Sequence, residues 1–207
     1  MSVITFPTLS RVASTAEPGL KSNTQVMVSD LSGYVATREL PGARWTLAFR
    51  LPSLKRPDAG PVEAFLAQLR GQANRARVPL WGRKAPRGTW AGTPKVNNEY
   101  GSPTLVQVGN TLQCVFAANA TVKQGDYFNI GTAGELKMIT ADGTADGSGN
   151  LLITFEPNLR VSPAHNTSLV FTNPVIPYMI LQDPHVRWTL NEGGFTDFNF
   201  DLVEVFA

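Results

Sequence analysis

The chain has 207 residues, 43% of them hydrophobic and 16% charged, which excludes a disordered chain and fits one large or two small domains. Its net charge of +2 gives no electrostatic case for nucleic acid or a membrane surface as the main partner. A single cysteine, Cys114, excludes an intrachain disulfide and any cysteine-based metal cluster.

With 18 glycines, 15 prolines and few charges, the composition points to β-structure with surfaces that partners can cover. The start, MSVITFPTLSR, lacks the basic and long apolar regions of a signal peptide, and no apolar run reaches the ~18 residues of a spanning helix. The expectation is a chain made in the cytosol that stays soluble or assembles.

In chain order, TQVMV (24–28) and YVATREL (34–40) flank a Gly-containing loop and predict a hairpin. RWTLAFRL (44–51) alternates: Trp45, Leu47, Phe49 and Leu51 form a core face, with Arg44 and Arg50 opposite. PDAGPVEAFLAQLRGQANRA predicts the one helix, capped by Asp58 or Gly60, with Pro61 at its first position. Val62, Phe65, Leu66, Leu69 and Ala73 make its buried stripe. RVPLW (77–81) predicts another strand. TLVQVG (104–109) with TLQCVFA (111–117), and DYFNIG (126–131) with ELKMIT (135–140), predict two further hairpins.

ADGTADGSGN (141–150) is a polar loop leading into the strand LLITFEP (151–157). Asp142, Asp146 and Asn150 invite a calcium reading, but Ile153 stands where an EF-hand needs its bidentate glutamate, so Asp-Gly and Ser-Gly turns explain the stretch better. PYMILQD, VRWTLNE and FTDFNFDLVEVF complete the strands. In the last, Val203 and Val205 leave the parity of Phe198, Phe200 and Leu202, which predicts a bulge there or a strand buried on both faces. The sum is about eleven strands and one helix.

WGRKAPRGTW (81–90) interrupts this order. Its glycines and prolines stop regular structure, and Trp81 and Trp90 suit anchors at either end of a crossing between domains. A second break lies at SPAHN and TNPVIP. The expected organisation is a mostly β chain: residues 1–93 plus 172–207 as a β-sandwich with one helix, and 94–171 as an inserted small all-β barrel.

No catalytic motif occurs, so no enzyme activity, cofactor or metal site is expected. His165 and His185 read as loop residues, and Cys114 as a small core residue. From Ala64 to Asn98 there is no acid but seven cations, including Arg83 and Arg87, while Asp197, Asp201 and Glu204 mark the last strand. Opposite-signed surfaces suit contact between subunits, so Arg44, Arg50, Arg83, Arg87, Asp197, Asp201 and Glu204 are candidate interface residues; the alternatives are a merely solvated face and a nucleic-acid patch with Trp81 and Trp90 to stack.

Two blocks carry a resemblance. SNTQVMVSDLSGYVATRELPGARWTLAFRLP with VEAFLAQLRGQANRARVPLW, and VKQGDYFNIG followed by LKMITADGTADGSGNLLITFEPNLRVSPAH, resemble the distal tail proteins of long-tailed, siphovirus-type phages. The resemblance implies a hexameric ring joining the tail tube to the tip or baseplate, a β-sandwich belt domain, and an inserted OB-like or galectin-like module. It implies a virion location, with itself, the tail tube protein and tail hub or tip proteins as partners. A carbohydrate-binding module recognising a host surface glycan is the alternative, with Tyr100, Tyr127 and Phe128 as its aromatics or as core.

Overall fold

The computed structural model describes residues 1–9, 15–101, 105–132 and 134–206. In chain order the strands are β1 (Val3–Thr5), β2 (Thr15–Lys21), β3 (Thr24–Val28), β4 (Val35–Glu39) and β5 (Arg44–Lys55). Helix α1 (Arg56–Leu69) follows, then β6 (Arg75–Pro79), β7 (Lys95–Val96), β8 (Thr111–Val115), β9 (Thr121–Val122), β10 (Tyr127–Ile130) and β11 (Leu136–Ile139). The chain ends with β12 (Gly143–Thr144), β13 (Asn150–Glu156), β14 (Leu169–Val170), β15 (Val175–Leu181), β16 (Trp188–Leu190) and β17 (Phe195–Glu204).

The fold is mostly β, with 44% of residues in strands and 7% in the helix. One sheet runs β1-β6-β15-β17-β5-β2, so strands from both ends of the chain lie side by side. Its longest ladder joins β5 to β17, from Phe195 opposite Lys55 to Val203 opposite Thr46. The second sheet runs β14-β10-β11-β13-β8-β7. It almost closes on itself: Val96 donates to Thr167 and Leu169 to Pro94, drawing β7 beside β14. The architecture is a sandwich-like lobe with one helix and a small barrel-like lobe.

Each lobe has its own apolar cluster. In the first, Trp45, Leu47, Phe49 and Leu51 point inward from β5, and α1 lays Val62, Phe65, Leu66 and Leu69 over them. Phe6 stacks on Phe49 at 5.1 Å and meets Phe65 edge-on at the same distance. Burial of Phe65, Leu66 and Leu69 stabilises this lobe by about 1.5–3 kcal/mol each. In the second, Phe128, Phe155 and Phe171 meet around Leu112, Cys114 and Ile153.

Several details differ from the sequence reading. The helix starts at Arg56, with Pro57 in its first turn and Pro61 inside; Lys55 occupies the N-cap without a side-chain bond. Pro57 presets the early φ, and burial of Ala59 as well as Val62 draws the first turn onto the core. The helix stops at Arg70, in the left-handed conformation, so Ala73 lies beyond it and is exposed. Val203 and Val205 mark no bulge: burial alternates unbroken to Glu204, and the register shift falls between Thr196 and Phe198.

TLVQVG forms no strand over 105–109, and Thr104, like the turn residue Ala133, lies outside the described residues. The Gln107 side chain takes the place of a ladder there. Its amide accepts from the Gln113 N–H and donates to the Gln113 carbonyl at 3.2 Å, continuing on β8 the pairing that β7 ends at Val96. The number of strands is seventeen rather than eleven among the described residues, because several are pairs of two or three residues.

Candidate assembly surface

TQVMV and YVATREL form the predicted hairpin, but it stands alone. Among the described residues β3 pairs only with β4, and all ten strand residues are exposed. Val26, Met27 and Val28 follow one another, so the alternation of a strand puts apolar side chains on both faces. Leu31, Tyr34 and Val35 extend the patch around the loop, and Leu31 is fully exposed at 103%. The Ser29 N–H bonds Tyr34 and the Gly33 N–H bonds Ser29, which shapes the loop, with Gly33 at φ +65°. This arm leaves the body between Lys21 and Arg44, which face each other at the end of the β2–β5 ladder.

A second exposed apolar group lies at the far end of β5. Among the described residues β16 pairs only with β17, and all three of its residues are exposed; Trp188 and Leu190 lie on one face of the pair, opposite Phe198 and Thr196, and exposed Phe195 lies on the other.

The expected interface charges are mostly engaged within the chain. Arg50 and Asp201 pair at 3.0 Å across β5 and β17, both about half exposed. Asp197 accepts from the Ser53 N–H and from Asn191 Nδ2 at 3.0 Å. These bonds, the Ser53 one first, hold its carboxyl below the usual range. Arg87 Nε lies 3.6 Å from Asp126, and the Arg44 guanidinium sits 4.7 Å over the Phe206 ring. Arg83 is exposed, with no ion pair among the described residues. Glu204 is a correction: it is 1% exposed and belongs to the interior, because β17 keeps its inward parity to the end.

Glu204 anchors the junction between the lobes. It accepts from the Trp45 N–H at 3.0 Å and pairs with Arg160 of the second lobe at 2.9 Å. Trp45 Nε1 donates to Leu136 at 2.9 Å, and Arg160 stacks 3.9 Å over Phe206. Buried Lys137 pairs with Glu135 at 2.6 Å and donates to the Asn158 carbonyl at 2.7 Å. Burial lowers the Lys137 pKa, and Glu135 opposes that shift. Asn129, 1% exposed, donates to the Val175 carbonyl at 2.7 Å and accepts from the Val175 N–H at 2.8 Å. One amide side chain of β10 thus stands in for a strand beside β15. A cleft of about 780 Å³ opens next to this junction, lined among others by Glu39, Pro41, Asn158, Tyr178 and Phe206.

WGRKAPRGTW crosses between the lobes with an anchor in each. Trp81 packs on Phe49 at 4.9 Å, and Trp90 on Phe171 at 4.6 Å. Between them the Arg87 and Gly88 N–H groups donate to the two oxygens of buried Asp126 at 2.9 and 3.0 Å. A Cβ on Gly88 would meet the Thr121 carbonyl at 2.1 Å, so only glycine passes there. The return crossing runs alongside: Leu80 donates to Pro174, and Asn173 to Lys84.

No protein-family model matches the chain, and no curated protein matches it. What the chain does must therefore be argued from its own surfaces.

The residues weighed for other chemistry have structural explanations. Asp146 accepts from the Ser148 and Asn150 N–H groups at 2.8 Å each, closing a turn. Asp142 binds Lys123 Nζ at 2.9 Å and the Gln124 N–H at 2.7 Å. No metal-holding cluster of His, Cys, Asp or Glu occurs among the described residues. His165 Nδ1 accepts from the Asn98 N–H at 3.1 Å, and His185 is exposed. Burial pushes the Cys114 thiol pKa well up. Of the three aromatics weighed for sugar, Phe128 is core and Tyr127 packs on Trp45 at 5.8 Å; Tyr100 alone is exposed.

Sequence reasoning missed Asn129, Arg160, Lys137 and Gln107. A strand-disfavoured asparagine between Phe128 and Ile130 was the available signal for the first. The unbroken Val26-Met27-Val28 signalled a strand apolar on both faces, though not what would cover it.

Proposed function

We propose that this chain is a structural ring subunit of a bacteriophage tail, joining the tail tube to the tip, with residues 94–171 as a guest module on a belt formed by 1–93 and 172–207. The ring is a hexamer of identical copies in the virion, flanked by the tail tube protein and by hub or tip proteins. The role is one of assembly and not of catalysis.

One observation carries the reading: the β3–β4 arm. An isolated two-stranded hairpin is marginal in water, and this one exposes apolar side chains on both faces. Such an element gains its order from a neighbour, as a belt subunit requires. The junction supports it, since a module carried around a ring needs a fixed seat on its belt, and the lobes share Glu204–Arg160 and Asn129–Val175 contacts.

The test is mass measurement of the full chain over rising concentration, with electron microscopy of the product. Closed six-fold rings are expected, together with loss of association when Val26, Met27 and Val28 are changed to threonine, glutamine and threonine. A chain that remains monomeric at every concentration and is absent from tail particles contradicts the proposal.

A further inference from the structure

The arm must be covered by something, and the chain itself offers an acceptor. We infer that the β3–β4 arm of one copy adds to the open edge of β16 in a second copy, making a head-to-tail contact. This rests on the ring reading above and names the surface that reading leaves open.

An acceptor for a two-stranded arm needs an unpaired strand edge with apolar side chains beside it. β16 meets both conditions: its outer edge is unpaired among the described residues, and Trp188 and Leu190 are exposed on it. Other candidates fall short. β2 is also an edge, but Pro18 removes a donor and Glu17 and Lys21 flank it with charge, a pattern that protects edges from pairing. β1 offers one exposed large apolar residue, Val3. Val115 and Leu152 are exposed on β8 and β13, yet each of these strands is already bonded on both sides. Val106 and Val108 flank Gln107, whose amide and N–H tie that segment to β8 and to Ser162.

Position sets the donor and the acceptor apart within one copy. The arm leaves at the Lys21–Arg44 end of β5, and β16 lies along Thr196–Phe198, opposite Leu54–Leu51. The two sites are seven to ten residues of β5 apart, about 23–33 Å, and sit towards opposite ends of the strand. A donor at one end of a sheet and an acceptor at the other generate a heterologous contact, which closes into a ring when the rotation per subunit divides a full turn. Charge is complementary at this pairing: Asp30 in the arm loop and Arg187 beside Trp188 are opposite in sign and both exposed.

The test is disulfide trapping with the full chain. Met27→Cys and Leu190→Cys variants are purified separately, mixed, and oxidised mildly; Cys114 is buried and stays out of the reaction. The expected product is a mixed dimer from the mixture and little dimer from either variant alone. Leu190→Ser, a surface change, should keep the far-ultraviolet spectrum and weaken self-association roughly tenfold, one decade in Kd. Rings that form normally while giving no mixed product, or Met27→Cys coupling readily to itself, overturn the β16 assignment and leave the ring reading standing. A wild-type chain that never associates removes both.

Discussion

Where the lobes meet, charge and amide are buried; where the arm leaves the body, hydrocarbon is exposed. Both regions invert the usual distribution of residues, in opposite senses. At the junction the inversion is resolved within one chain: Glu204 has Arg160 and the Trp45 N–H, and Asn129 has both backbone groups of Val175. At the arm no strand among the described residues resolves it: β3 and β4 pair only with each other, and the one side-chain bond to the body is from Asn158 to Glu39 at the base. The difference separates a completed polar network, which fixes geometry, from an incomplete apolar surface, which calls for a partner.

The junction side of this comparison breaks most severely through Glu204. Glu204→Leu leaves Arg160 without its carboxylate and Trp45 N–H without its acceptor. Loss of one partner of a buried pair costs 3–5 kcal/mol, and the part-exposed Arg160 places this variant near the lower end, about 3 kcal/mol. The urea midpoint of unfolding reads it. If the pair fixes geometry more than stability, Glu204→Leu with Arg160→Met should recover at least half of that loss. Asn129→Ala comes next, at about 2 kcal/mol, because it strands the Val175 N–H and carbonyl. Asn129→Asp should fall below Asn129→Ala at neutral pH, because it buries a carboxylate whose second oxygen faces the Gly134 and Val175 carbonyls.

How legible each region was follows from what specifies it. The β5 stripe of Trp45, Leu47, Phe49 and Leu51 and the helix stripe of Phe65, Leu66 and Leu69 are local periodicities, and they read directly from the chain. The β3–β4 hairpin was equally plain, although its isolation depends on what fails to pack against it. The junction was hidden: Asn129 and Val175 are 46 residues apart, and Arg160 and Glu204 are 44 apart, so no local window holds either pair. Glu204 was misread as a surface acid because an acid on a strand is ordinarily solvated, and only the unbroken inward parity of β17 reveals its burial. Arg50 and Asp201 were expected to meet a neighbour but sit on adjacent strands, a register that sequence does not give.

A smaller effect distinguishes the polar turns from the junction. Asp146 has its pKa lowered chiefly by the Asn150 N–H, with Ser148 adding to it. A folded-state pKa below the unfolded one means stability that is present above about pH 3.9 and fades as pH falls through the lower folded value. Asp146→Asn should therefore melt below wild type at neutral pH, and the gap in Tm should narrow on acidification. A gap that widened in acid would contradict the assignment.

The smallest expected change in stability is the most informative. Val26→Thr, Met27→Gln and Val28→Thr alter exposed side chains, so each should shift the unfolding free energy by no more than about 0.5 kcal/mol. Leu47→Ala, which empties a fully buried site of the same sheet, should cost about 2–5 kcal/mol. The two sets should exchange rank when self-association is measured instead: the arm triple abolishes it, and Leu47→Ala weakens it only in proportion to the unfolded fraction. If the arm triple instead unfolds the monomer, the arm belongs to the body's own stability, and its exposed faces lose their meaning as a contact for another copy.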